Sequence, residues 1–219
     1  LAIDARQQAT PDVATTTTLW VGEHARLDVS GQAILAPTTN GLRQGNVLAG
    51  GRITLAAKGA SGTEPVLVLQ QGAQIDAAGA SAVLDRAVLT DGGVRWQRGE
   101  VASNGGSVAI EANRALVTEG HIDLHAGGTG ASGGTLAVTL TAGGSGLGTD
   151  APENQLRELR VAAGPTVRTA GIALGDTAAI EGLTAIASVS TALVRDSGAA
   201  NLTLEARDAV RFLQGADLA

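Results

Sequence analysis

The chain has 219 residues and a formal net charge of −6, from 15 lysines and arginines and 21 aspartates and glutamates. Cysteine and methionine are absent, which excludes a disulfide framework, a thiolate metal site and a nucleophilic cysteine. Aromatic residues are limited to two tryptophans and one phenylalanine, and the basic residues are scattered singly. We expect no nucleic-acid partner, because neither a basic stripe nor a set of aromatic rings for base stacking is present.

A first strand-like pattern appears at the start of the chain and returns four times. It reads aliphatic, small or threonine, aliphatic, a variable and often acidic residue, and then usually alanine. The copies are LAIDA (1–5), ITLAA (53–57), VAIEA (108–112), LTLEA (202–206) and, more loosely, LAVTL (136–140). This alternation predicts a half-buried strand, because successive strand side chains point to opposite faces.

Two more strand-like bursts follow the first burst in a constant order. They lie within LWVGEHARLDVSG (19–31), LVLQQGAQIDAAG (67–79), ALVTEGHIDLHAG (115–127) and VRFLQGADLA (210–219). In the second burst of the third stretch, Ala115 and Val117 share one side of the strand. The third burst places one inward aliphatic side chain per copy, namely Leu27, Ile75, Ile122 and Leu218. The residues that come next and point outward are Asp28, Asp76 and Asp123.

Three strands in about 20 residues are typical of one coil of a parallel β-helix, in which each turn of chain lies on the previous one. We predict an all-β fold: a right-handed parallel β-helix (solenoid) of three-strand coils, with loop insertions outside the helix. Residues 1–219 are expected to form one such segment of a longer chain. The corner glycines, which are expected to supply positive φ, are Gly31, Gly50, Gly51, Gly79, Gly105, Gly106, Gly127 and Gly128.

Several segments interrupt this rhythm. Residues 32–50 and 80–105 each come between a third strand and the next first strand, which predicts two excursions, as hairpins, from one corner of the solenoid. Residues 143–158 are expected to form an irregular loop. Between Leu136 and Leu202 there is room for three further coils of about 22 residues.

The repeats are similar to those of a known family. The stretches that carry the likeness are GGRITLAA, QGAQIDAAG, GGSVAIEA, GHIDLHAGG and ANLTLEARDAVRFLQGADL. They resemble the repeat region of filamentous haemagglutinin-like exoproteins, the large passengers of bacterial two-partner secretion. The resemblance implies a structural and adhesive segment without enzymatic activity, secreted or displayed on the outer surface of a Gram-negative-type cell. It also implies attachment to a glycan or protein of a host or bacterial surface, a part in virulence, and an outer-membrane secretion partner for the parent protein.

The candidate ligand contact lies in the longer excursion, within GGVRWQRGE (92–100). There Trp96 stands between Arg95 and Arg98, and a tryptophan beside guanidinium groups suits a glycan or a protein surface. The alternative is that Trp96 folds back to cover the side of the solenoid. Trp20 aligns with Val68 at an outward position, where we expect it to pack beneath an excursion.

Catalytic, metal and cofactor sites are not expected. His121 and His125 lie about 13 Å apart along an extended strand, too far for both to bind one ion at about 2.1 Å. Two alternatives stay open: a carbohydrate-active β-helix enzyme that uses the outward aspartates, and the stalk of a contact-dependent toxin. Hydrolysis needs a carboxyl pair about 5 to 9.5 Å apart in a cleft, whereas turn formation explains the aspartates without it. Since no apolar run reaches about 18 residues, no membrane-spanning helix is expected.

Overall fold

The computed structural model of the chain describes residues 1–7, 18–36, 38–59, 65–141, 156–174, 176 and 186–218. Strands make up most of the regular structure in these ranges, whereas the one helix there, α1 (Thr191–Asp196), has six residues. The prediction of an all-β chain is confirmed. Most of the expected loop at 143–158 lies outside the described residues, and its last residue, Glu158, begins a strand.

The strands are, in chain order, β1 (Ala2–Gln7), β2 (Thr18–Val21), β3 (Arg26–Asp28), β4 (Ala33–Ala36), β5 (Gln44–Val47), β6 (Arg52–Gly59), β7 (Val66–Leu69), β8 (Gln74–Asp76), β9 (Ser81–Thr90), β10 (Gly93–Ala102), β11 (Ser107–Ala112), β12 (Ala115–Thr118), β13 (His121–Asp123), β14 (Thr135–Leu140), β15 (Glu158–Ala162), β16 (Ile186–Ser190), β17 (Asn201–Ala206) and β18 (Ala209–Phe212). Helix α1 follows β16. The strands form three parallel sheets and two antiparallel hairpins.

The first sheet pairs the five copies of the first burst, in the order β1-β6-β11-β14-β17, and all its neighbours are parallel. Residues that are equivalent in the five sequence copies pair directly across neighbouring strands. The third residues of the copies form one row: Ile3, Leu55, Ile110, Val138 and Leu204. The predicted correspondence of these five copies is confirmed residue by residue.

The second sheet has the order β2-β7-β12-β16-β15-β18, and the third has the order β3-β8-β13. The first three units each contribute one strand to every sheet in turn, and equivalent strands pair in parallel. In the third sheet Leu27, Ile75 and Ile122 are direct partners, as predicted. The prediction was wrong for Leu218, which is described outside any strand and is 37% exposed.

The three parallel sheets share one apolar interior. Leu55 of the first sheet, Leu116 of the second and Ile75 of the third are fully buried in a single cluster. The first row ends in half-buried residues, Ile3 on one side and Leu204 on the other. Burial therefore depends on neighbouring units, because each unit covers the apolar side chains of the next.

At β7 and β12 the outer face of the second sheet is buried as well. Leu116 enters the main interior. Ala115 and Val117 share one side, as predicted, but this side faces away from the interior and joins a second cluster with Val66 and Val68. Both faces of β7 and β12 are thus apolar and covered.

Residues 163–174, called the cover segment below, lie over this outer face. Val167 and Ile172 of the cover segment pack on the second cluster, and so does Trp20. The Trp20 Nε1–H donates to Gln70 Oε1 at 3.0 Å. Packing of Trp20 beneath a covering piece is confirmed, although that piece is neither of the two predicted excursions.

The structure explains the glycines at the corners differently from the sequence-based prediction. None of the eight adopts positive φ. A Cβ built on Gly50, Gly79 or Gly106 would instead lie 2.0, 2.1 or 1.9 Å from a carbonyl oxygen of a neighbouring strand or turn. The corners bring backbones so close together that only a residue without a side chain fits.

The expectation of three further coils between Leu136 and Leu202 is wrong, because these residues are direct partners in adjacent strands. The chain between them instead adds β15 and β16 to the second sheet, with β16 beside β12 and β15 beyond it. Helix α1 then comes where earlier units have their third strand. It lies against β13, and the Leu124 amide donates to the Ser197 carbonyl at 2.7 Å.

The two interrupting segments contain the hairpins. Residues 32–50 include the short hairpin β4–β5, and residues 80–105 include the long hairpin β9–β10. Each hairpin follows a strand of the third sheet and precedes a strand of the first sheet. In the ranges that the structure describes, no helix is long and apolar enough to cross a membrane.

Candidate functional site

The long hairpin carries the residues singled out as a ligand contact. Its strands have ten residues each and pair in antiparallel fashion along their whole length. Asp91 and Gly92 form the turn at the tip, and Gly93 follows with φ of 106°, a conformation that glycine adopts without steric cost. The tip therefore lies ten residue pairs from the base.

The two faces of the hairpin carry different residues, because side chains alternate along each strand. Trp96 lies opposite Ala87 and shares its face with Arg98, which lies opposite Asp85. Arg95 points to the other face. The structure thus brings Trp96 and Arg98 together and separates Arg95 from both.

The Trp96 face is apolar and exposed near the tip. Trp96 is 48% exposed, Val94 is 62% exposed, and Leu89, directly opposite Val94, is 83% exposed. We call these three side chains the apolar tip. Further exposed large apolar side chains on or beside the two hairpins are Ile34, Leu35, Leu48, Val83 and Val88. A concentration of this kind marks an interaction surface more often than isolated exposed residues do.

Arg98 is held by Asp85 at the base of this face. Its Nε and Nη2 atoms donate to Asp85 Oδ1 and Oδ2 at 2.8 and 2.9 Å. Asp85 Oδ2 also accepts from the Arg43 amide at 2.7 Å, and the Asp85 amide donates to the Arg43 carbonyl at 2.7 Å. The contacts of Asp85 with the Arg43 backbone fasten the long hairpin to the short one, and Arg98 holds the Asp85 carboxylate from across the long hairpin.

The charge state of Asp85 follows from these contacts. The Arg98 guanidinium and, after it, the Arg43 amide lower the pKa of Asp85 to about 2. The same pairing raises the pKa of Arg98. Asp85 therefore stays ionised through the acid range in which an ordinary aspartate takes up a proton.

Titration should detect this arrangement. A carboxyl group whose pKa is lowered on folding stabilises the fold above its ordinary pKa of 3.8, and that contribution is lost as the pH falls toward about 2. Carboxyl-carbon NMR should give Asp85 a midpoint near 2, and Arg98→Gln should move it toward 3.8. Asp28, held by a separate turn, is the control and should not change. A midpoint near 3.8 in the unaltered protein would contradict the ion pair.

The outward aspartates of the third sheet form one row, in which Asp28, Asp76 and Asp123 are direct partners. Each accepts a hydrogen bond from the backbone amide two residues later, at 3.0, 3.1 and 3.0 Å. Arg26 Nη2 also lies 3.0 Å from Asp28 Oδ2 and 3.4 Å from Asp76 Oδ2. This is the turn chemistry that the sequence indicates for aspartate at a corner.

Two carboxyls of the row, Asp28 and Asp123, have lowered pKa values. The Ser30 backbone amide and then its hydroxyl lower the pKa of Asp28. Burial acts to raise the pKa of Asp123, but hydrogen bonds from His125 outweigh it and the pKa is lowered. A general acid for glycoside cleavage needs a raised pKa, so neither carboxyl suits that role.

His121 on β13 and His125 in the turn that follows have different neighbours. His125 Nδ1 lies 2.8 Å from Asp123 Oδ1, while His121 lies in register with Gln74 on the neighbouring strand. Within the described ranges, no group of three or more histidine, aspartate or glutamate side chains is arranged to hold a metal ion.

The cover segment is the feature that sequence reasoning missed. A signal for it exists in the second burst, because Val66, Leu67, Val68 and Leu69 are all apolar. A strand that is apolar at every position indicates burial on both faces, whereas alternation indicates burial on one. The run therefore requires some other part of the chain to cover the outer face of β7.

Searches of protein-family models, curated proteins and solved structures found no match for this chain. The resemblance to filamentous haemagglutinin-like repeats receives no support from these comparisons.

Proposed function

We propose that the chain is a structural and adhesive segment of a large filamentous haemagglutinin-like protein, secreted or displayed on the outer surface of a Gram-negative-type bacterium. In this proposal the three parallel sheets wind as a right-handed parallel β-helix that holds the hairpins outward. The hairpins attach the parent protein to a glycan or protein of a host or bacterial surface. The parent protein reaches that surface through an outer-membrane secretion partner.

The strand pairing supports the β-helical part of the proposal. Successive strands of a unit enter three different sheets, and the next unit enters the same sheets in the same order. Parallel neighbours need a crossover between them. In each of the first two intervals, that crossover runs through the other two sheets and a hairpin, as in a chain that winds around an interior.

The apolar tip is the observation that carries the adhesive part. Apart from Trp20 and Trp96, the chain has one phenylalanine and no tyrosine, and Trp96 is about half exposed on one face of the long hairpin. An exposed indole beside two aliphatic side chains suits the apolar face of a sugar ring or a hydrophobic protein patch. Tryptophan is also among the residues that most often dominate binding energy at interfaces.

Replacing Trp96 with alanine should weaken attachment and leave the fold intact. We expect binding to a glycan array or to intact host or bacterial cells to fall by at least about tenfold, as is usual for truncation of a tryptophan at the centre of an interface. The melting temperature should change little, since the indole is about half exposed.

The matched control is Val88→Ala, which removes an apolar side chain from the opposite face of the same hairpin. It should leave binding unchanged if the Trp96 face makes the contact. A large drop in melting temperature for Trp96→Ala would show that Trp96 serves packing, and equal binding by both variants and the unaltered chain would reject the apolar tip as the contact.

A further inference from the structure

A cavity of about 360 Å³ lies between the cover segment, helix α1 and the turns that lead from the second sheet into the third. Its polar lining includes Gln71, Glu119, His121, Arg168 and Asp196. This corner of the fold is different from the corner that carries the two hairpins. None of its residues takes part in the apolar tip.

The wall formed by the cover segment is fixed by hydrogen bonds to the buried residue Thr169. Thr169 is fully buried, and its amide and hydroxyl both donate to Glu119 Oε2. Its hydroxyl oxygen also accepts from the Gln71 amide at 3.1 Å, and its carbonyl accepts from Gln70 Nε2 at 3.2 Å. Arg168, the preceding residue, is therefore anchored at its backbone while its side chain stays exposed at the cavity.

Three charged or titratable side chains at the cavity have no hydrogen-bonded partner in the described part of the chain, although the charge of His121 helps to lower the pKa of Asp123. Among the described residues, Arg168, His121 and Asp196 make no hydrogen bond or ion pair through their side chains. Glu119 is different, because Thr169 already occupies one of its oxygens. The cavity thus presents a guanidinium and an imidazole together with a carboxylate acceptor.

This set of groups selects among ligand classes. A guanidinium binds a carboxylate through two parallel hydrogen bonds. The Asp196 carboxylate and the Gln71 side-chain carbonyl can accept hydrogen bonds from ligand hydroxyls. Two carboxylates, Glu119 and Asp196, line the same space, so a phosphate dianion would be repelled more strongly than a singly charged carboxylate.

We infer that this cavity binds a carboxylate-bearing sugar, a uronic or sialic acid residue, with Arg168 on the sugar carboxylate and Asp196 and Gln71 on its hydroxyls. The volume lies in the range of small-ligand sites. The described lining residues include no tryptophan, tyrosine or phenylalanine, which fits a ligand recognised by hydrogen bonds around its edge. This site is separate from the apolar tip and binds whether or not the tip does.

The test is an amide NMR titration of the whole chain with glucuronate and with N-acetylneuraminate. We expect saturable shifts centred on the amides of Gly120 and Arg168, which border the cavity, with a dissociation constant on the order of 1 mM, since a single sugar makes few contacts. Glucose, which has the hydroxyls without the carboxylate, should bind at least about tenfold more weakly.

Two variants decide the role of Arg168. Arg168→Gln should weaken glucuronate binding at least about tenfold with an unchanged melting temperature, because the side chain is exposed and has no partner to lose. Arg86→Gln, with the same change of net charge on the long hairpin, should bind as the unaltered chain does. Equal binding of glucose and glucuronate, an unchanged affinity of Arg168→Gln, or no shift at these amides would overturn the inference, and Trp96→Ala should leave the titration as it is.

Discussion

Gly106→Ala is expected to be among the most destabilising single substitutions in this chain. The added Cβ would lie 1.9 Å from the Gly51 carbonyl oxygen and 2.6 Å from the Gly50 carbonyl carbon, and backbone atoms cannot move aside as a flexible side chain can. We expect the free energy of unfolding to fall by about 3 kcal/mol or more, the upper range for overpacking. Urea unfolding followed by circular dichroism measures the loss.

Gly99→Ala is the control for the Gly106 experiment. No atom lies within 4 Å of a Cβ built on Gly99, and its φ is not in the left-handed region. Alanine there should leave stability within about 0.5 kcal/mol of the unaltered chain. If Gly106→Ala unfolded at the same urea concentration as Gly99→Ala, the close backbone approach at the corners would be refuted.

Ile110→Ala should have the second large effect. Ile110 is fully buried in the middle of its row, between Leu55 on one neighbouring strand and Val138 on the other. Truncation leaves a cavity that the flanking strands cannot close, since they are fixed by hydrogen bonds on both sides. The expected loss is about 2 to 5 kcal/mol, measured by urea unfolding.

Two less buried residues are the controls for the Ile110→Ala experiment. Leu204→Ala truncates a half-buried residue at the end of the same row and should cost less, because fewer neighbours surround it. Val94→Ala, on the exposed face of the long hairpin, should cost no more than about 0.5 kcal/mol. Equal losses at Ile110 and Leu204 would contradict an interior that depends on units above and below.

The repeated units could be predicted because their signal is local and redundant. Five segments with the same alternation specify one register, and Ile3, Leu55 and Ile110 pair as the alignment requires. The third strand of each unit is predicted equally well, since Leu27, Ile75 and Ile122 are direct partners. At Leu218 the same letters do not form a strand, and helix α1 lies against β13 at the end of the third sheet.

Other features depend on contacts that no local pattern encodes. The direct pairing of Leu136 with Leu202 requires the chain between them to leave the first sheet altogether, which strand-like composition does not reveal. The sequence does not distinguish a glycine needed for positive φ from one needed for close backbone approach. Gly50 and Gly106 are of the second kind, whereas the pattern alone predicts the first.

The candidate site was partly readable from the sequence. Alternation alone separates Arg95 from Trp96 once the segment is recognised as a strand. The contact of Asp85 with Arg43 depends on how the two hairpins meet, and no sequence pattern indicates that. The pairing of Asp85 with Arg98 depends on the register of the long hairpin. The cavity beside Arg168 was not foreseen, because three separate parts of the chain build it.

The three passages from the third sheet back to the first differ greatly in length while the strands around them keep one register. Residues 32–50 and 80–105 hold hairpins, whereas residues 124–134 hold none. Since lengthening a surface loop costs little free energy, this edge of the molecule tolerates insertion without disturbing the scaffold. Hairpins at this edge can therefore be replaced or lengthened, in evolution or by design, while the three parallel sheets stay the same. Binding specificity can change without a change in the fold that supports it.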